Sequence, residues 1–73
     1  MIEFYIDYSR EHLDQEDFLS VGMLLKAIAE HDPASFEEVK EFIAFYDPAA
    51  QKKVDAALDE HTARLHKMRA RRR

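Results

Sequence analysis

Four histidines, fifteen carboxylates and a closing run of arginines are the side chains with chemistry to offer in this 73-residue sequence. His61 and His66 stand five positions apart, which on a helix puts them on different faces, and neither has a second histidine at i+4. That spacing does not build a zinc site. The chain has no cysteine, so it has no thiolate ligand and no disulfide, and a reducing, cytoplasmic compartment is the expectation. Nucleophilic catalysis needs a hydroxyl or thiol with a base beside it, and phosphate chemistry needs a glycine-rich cradle. The sequence shows no Ser, His and Asp motif of that kind, and Gly22 is its single glycine. The carboxylates form no recognisable cleft pair and read as a solvated surface. The expectation is therefore no enzyme activity, no catalytic residue, no metal and no cofactor.

Charge is segregated along the chain. All fifteen acids lie at or before Glu60, against Arg10, Lys26, Lys40, Lys52 and Lys53, whereas residues 61–73 hold Arg64, Lys67, Arg69, Arg71, Arg72 and Arg73 with no acid. An acidic body with a basic arm follows. Lys67, Arg69, Arg71, Arg72 and Arg73 are the candidates for proximity to nucleic acid, through phosphate contacts that release counterions. The plainer reading is a solvated helix end whose cations complement the negative pole of the helix. An acid excess of ten over residues 1–60 repels phosphate, and neither central helix offers a basic recognition face.

These residues must be positioned by secondary structure. In MIEFYIDYSR, Ile2, Phe4, Ile6 and Tyr8 alternate with Glu3, Tyr5 and Asp7, the period of a half-buried strand over residues 2–8. Nothing later in the chain alternates, so the segment has three possible fates: a helical turn, with Ile2 and Ile6 four apart; pairing with an unrecognised extended piece; or β-augmentation by a partner. Three helices are expected beyond it, over 14–31, 33–46 and 48–68. Asp32-Pro33-Ala34 and Asp47-Pro48-Ala49 each place an N-cap acceptor before a proline at the first helical position.

The first of these helices is apolar almost all round, through Phe18, Leu19, Val21, Met23, Leu24, Leu25 and Ile28, which marks it as central, and Gly22 within it marks a close approach of another backbone. The second carries an aromatic arc wide enough to leave Phe42 and Phe45 as anchors for another protein. The third lines up Val54, Leu58, Leu65 and Met68 with His61 near them, then runs out of apolar residues, so 67–73 is expected as a flexible basic tail on a single domain of residues 1–66. The expected fold is mainly α: a compact three-helix domain preceded by one short strand, small enough that its stability is marginal. The apolar stretch from Phe18 to Ala29 is broken by Ser20 and Lys26 and is too short to span a bilayer, and no secretory leader is visible.

With an aromatic amino-terminal strand, a compact acidic helical body and the basic tail at Lys67–Arg73, the chain resembles the small bacteriophage proteins that bind host RNA polymerase. The likeness covers the whole chain in length and character and transfers no individual site residue. It implies binding to the amino-terminal part of the bacterial polymerase β′ subunit near the RNA exit channel, with inhibition of some promoters and read-through of terminators in the host cytoplasm. The expectation is a non-enzymatic protein-interaction module, monomeric when free, gripping a larger protein through Ile2, Phe4, Tyr5, Ile6, Tyr8, Phe42 and Phe45. The alternative is a small nucleic-acid-binding protein acting through its basic arm.

Overall fold

The computed structural model describes residues 2–71, with side chains to Arg69, and every element is a helix: α1 (Ile2–Asp14), α2 (Phe18–His31), α3 (Pro33–Tyr46) and α4 (Ala50–Arg71). The strand expected over residues 2–8 is not formed, and four helices replace three helices and a strand. A strand needs a partner to pair its backbone groups, and no other extended segment exists among the described residues. A helix pairs those groups within itself. Ile2, Tyr5, Ser9 and Leu13 recur at helical spacing. Ser9 and Leu13 are buried, and Ile2 and Tyr5 pack against the core.

Helix α1 ends where the sequence reading begins its first helix, near Asp14 and Gln15. The Asp17 N–H donates to the His12 carbonyl at 2.8 Å and the Glu16 N–H to the Leu13 carbonyl at 3.0 Å, the paired bonds of a Schellman C-terminus. Glu16 takes the left-handed conformation, φ 57°, that this motif requires. Glycine is the usual residue there, and its absence hides the helix end from the sequence. Asp17 then caps α2: its carboxylate accepts from the Ser20 N–H at 3.3 Å and the Ser20 hydroxyl at 2.7 Å. The hydroxyl and the N–H hold the Asp17 carboxyl below the usual carboxylate range.

Helix α2 is central, as its composition requires, and packs against each of the other three. Val21, Leu25 and Ile28 meet Val39 and Ile43 of α3, Leu13 of α1, and Ala50 and Val54 of α4 in one buried cluster. Gly22 admits a close neighbour, and that neighbour is a side chain: a Cβ at Gly22 would stand 2.7 Å from Leu58 Cγ and 2.9 Å from Cδ2. Lys53 lies over the Phe18 ring at 5.3 Å, so contacts of α4 residues 53 and 58 with α2 residues 18 and 22 run in one direction. Two tyrosines fix α1 along α3. The Tyr5 hydroxyl donates to Asp32 at 3.3 Å at the start of both helices, and the Tyr46 hydroxyl to Asp14 at 2.6 Å at their ends.

Of the two Asp-Pro starts, the first places Pro33 at the head of α3, but Asp32 makes no capping bond to the backbone; its carboxylate takes the Ser35 and Tyr5 hydroxyls instead. The second lies just ahead of α4, where Asp47 accepts from the Ala49 N–H at 3.2 Å and Pro48 stays in the turn. Helix α4 has 22 residues and so reaches about 33 Å at 1.5 Å per residue, against a longest molecular dimension of 43 Å. Ala50 and Val54 are buried, whereas every residue from Thr62 to Arg69 is exposed. The flexible tail expected from Lys67 is helical through Arg71; Arg72 and Arg73 lie outside the described residues.

Two glycine exchanges of opposite sign follow. Glu16→Gly relieves a left-handed residue and is expected to raise stability by about 1 kcal/mol in denaturant titrations. Gly22→Ala gains about 1 kcal/mol of helix propensity but collides with Leu58, and overpacking of about 1–3 kcal/mol makes the net effect a loss. In a Leu58→Ala background the same Gly22→Ala change is expected to stabilise, a reversal that a double-mutant cycle measures.

Candidate interaction surfaces

The helical form of α1 sorts the sequence-predicted binding residues into two groups. Ile2 and Tyr5 face the body, Ile6 is half-buried, and Phe4 stands out with 62% of its surface exposed. Tyr5 is engaged with Asp32, and burial together with that carboxylate raises its phenol above the ordinary tyrosine range. Phe4, Tyr8 and His12, spaced by four, form a ladder along α1: ring centroids are 6.2 Å apart for Phe4 and Tyr8 and 4.0 Å for the stacked Tyr8 and His12. The His12 Nδ1–H donates to the Tyr8 carbonyl at 2.9 Å and fixes the lower rung. Beside the ladder runs an exposed row of acids, Glu3, Asp7, Glu11 and Asp14. The strand over residues 2–8 puts Glu3 and Asp7 on one face and stops short of Glu11 and Asp14; the signal for the whole row was helical spacing, four residues between Glu3, Asp7 and Glu11 and three from Glu11 to Asp14.

On α3 the aromatic arc also divides. Phe42 is half-buried, packs against the core and stacks on Tyr46 at 5.6 Å, while Phe45 is 87% exposed. The hydrogen bond to Asp14 raises the Tyr46 phenol, and partial burial adds to it.

Helix α4 supplies the third surface. Its inner stripe runs Val54, Leu58, His61, Leu65, Met68, and beyond His61 it leaves the body, so that Leu65 is 45% and Met68 61% exposed. Arg64, Lys67 and Arg69 flank these two apolar residues. Arg64 pairs with Glu60 at 3.2 Å, and among the described residues no carboxylate lies within salt-bridge reach of Lys67 or Arg69. Arg71 continues the helix, and Arg72 and Arg73 fall outside the described residues.

A groove of about 270 Å³ opens between α2, α3 and α4, floored by Gly22, Leu25, Val54 and Leu58. Sequence reasoning missed it, because it is made by three helices at once. Its rim carries Lys26 and Lys40 but also Asp55, which accepts from the Gln51 amide at 3.0 Å. Lys40 lies 5.6 Å from the Phe36 ring centroid, a cation over an aromatic face. The mixed charge of this rim selects no ligand sign.

Among the described residues no three His, Cys, Asp or Glu side chains are grouped to hold a metal ion, and no helix is long and apolar enough to cross a membrane. Comparison with protein families, characterised proteins and solved structures returns no match for this chain.

The division on α3 is open to measurement. Phe45→Ser is expected to leave stability within about 0.5 kcal/mol, as at surface positions generally. Ile43→Ala, two positions earlier in the core, is expected to cost about 2–5 kcal/mol. Thermal and denaturant unfolding of both variants makes the comparison.

Proposed function

We propose that this chain is a non-enzymatic protein-interaction module that docks on an acidic, apolar partner surface through the distal half of α4. The observation that carries this reading is the continuation of the core stripe into Leu65 and Met68 on a helix clear of the body. Most helical stability in proteins comes from packing an apolar face, and this stretch of α4 has such a face with nothing against it among the described residues. Flanking Arg64, Lys67 and Arg69 give the face a sign. Phe45 and Phe4 add exposed aromatic area of the kind that anchors interfaces.

A bacterial RNA polymerase is the partner that the resemblance to phage regulators suggests. The acidic body and the basic end support that reading; residues 2–8 are helical, so β-augmentation by them has no part in it. The second reading, nucleic-acid binding, is favoured by the same cations and by the lack of any acid after Glu60.

The two readings separate on one pair of variants. Leu65→Asp with Met68→Asp is expected to weaken binding to purified bacterial polymerase, followed by biolayer interferometry, by about tenfold or more, the effect of removing central apolar anchors. Binding of a single-stranded oligonucleotide would instead fall mainly with Lys67→Gln and Arg69→Gln, with a shallower salt slope. Loss of oligonucleotide binding alone, with polymerase binding absent in the unaltered chain, overturns the polymerase assignment in favour of the nucleic-acid reading.

A further inference from the structure

We infer that the acidic, apolar surface taken by the distal half of α4 is the outer face of α1 on a second copy of this chain. The inference deepens the interaction-module reading and rests on it. The two faces are complementary in charge and both carry apolar surface. One carries Leu65 and Met68 with Arg64, Lys67 and Arg69; the other carries the exposed Phe4 and the half-buried Tyr8 beside Glu3, Asp7 and Glu11. Each has a large apolar residue more than half exposed, Met68 at 61% and Phe4 at 62%.

The charges decide which surfaces can meet. Two α4 ends side by side would set Arg64, Lys67 and Arg69 against the same residues of the partner, and like charges brought together destabilise an interface. The groove between α2, α3 and α4 carries Lys26, Lys40 and Asp55 on its rim, a mixed charge that gives a cationic helix no preference for it. On α1 Arg10 pairs with Asp7 at 3.2 Å and Asp14 accepts from the Tyr46 hydroxyl, so Glu3 and Glu11 are the carboxylates of the row with no cation in reach among the described residues. Cations from α4 would therefore find carboxylates there, and aromatic faces as well, where a lysine or arginine is attracted to the ring. Within this chain cations already lie over Phe18 and Phe36 in that way. Each copy owns one basic α4 end and one acidic α1 face; a two-fold dimer in which the copies exchange ends uses both contacts and is closed, whereas a head-to-tail arrangement would leave one of each open and give larger species in the sedimentation experiment.

Sedimentation equilibrium on the full chain, at about 50 mM and about 200 mM salt, tests this because ionic contacts weaken as screening rises. The unaltered chain is expected to dimerise reversibly, more tightly at the lower salt. Lys67→Glu with Arg69→Glu, and separately Asp7→Lys with Glu11→Lys, should each weaken the dimer by about tenfold or more, because several facing pairs become like-charged. Combining all four reversals in one chain should restore it. Every substituted residue is exposed, and helix content by circular dichroism verifies that each variant is folded.

Failure of the four-fold reversal to rescue a dimer weakened by both pairs overturns the inference, as does a dimer indifferent to either pair. A chain that stays monomeric at both salts also overturns it. In that last case the interaction-module reading is judged separately: it survives if Leu65→Asp with Met68→Asp still abolishes binding to purified polymerase, and fails if no partner binding depends on those residues.

Discussion

Helix α2 has almost no polar side, and the rest of the fold answers that fact. A helix apolar around most of its circumference cannot lie on a surface, because each Å² of apolar area removed from water stabilises by about 25 cal/mol and removing it all round requires neighbours on several sides. Val21, Leu25 and Ile28 are buried by helices on three flanks, and only Met23 among its large apolar residues is well exposed. With residues 18–58 providing two of those flanks, the third had to come from the amino-terminal segment. A strand there would have left its own backbone unpaired; a helix brings Ile2, Tyr5, Ser9 and Leu13 to the core with its backbone already satisfied.

The junction between α1 and α2 shows how tightly that arrangement is specified without glycine. Glu16 accepts a left-handed backbone, and Asp17 serves both helices, closing the end of α1 through its N–H and capping the start of α2 through its carboxylate. Tyr5 and Tyr46 then bind α1 to the start and the end of α3. Ser9 marks the closeness of the result: it is fully buried, its hydroxyl has no hydrogen-bond partner among the described residues, and its small side chain lets α1 approach the body. Such an orphan hydroxyl is a cost, accepted here for a tight helix contact.

Once the core is formed, what remains outside is unevenly charged. Acids spaced by about one turn gather on the outer side of α1, and cations gather on α4 after the acids stop at Glu60. Apart from Asp14, which takes the Tyr46 hydroxyl, neither concentration holds the four helices together, since isolated surface ion pairs contribute about 0–1 kcal/mol and only Arg10 and Arg64 have partners in reach among the described residues. Among these charges stand exposed apolar residues, Phe4 on one helix and Leu65 and Met68 on the other, and the proposed docking rests on that combination.

The sequence by itself determined the central helix, the aromatic α3, the Asp-Pro boundaries and the segregation of charge, because each is a local pattern: a run of apolar residues, a proline after an acceptor, a count of cations. It also held the helical spacing of α1, but Ile2, Phe4, Ile6 and Tyr8 satisfy period two as readily as Ile2, Tyr5, Ser9 and Leu13 satisfy helical spacing, and nothing local breaks the tie. The tertiary structure broke it, through the need of α2 for a third neighbour and the lack of any strand to pair. The same holds for the candidate surfaces. Phe42 and Phe45 look alike in sequence, and only packing turned Phe42 toward the core and Phe45 to solvent. The acidic row of α1 and the exposed stripe of α4 became surfaces only when the first segment folded as a helix and the last outran the body it packs on, and both outcomes depend on contacts between segments distant in the chain.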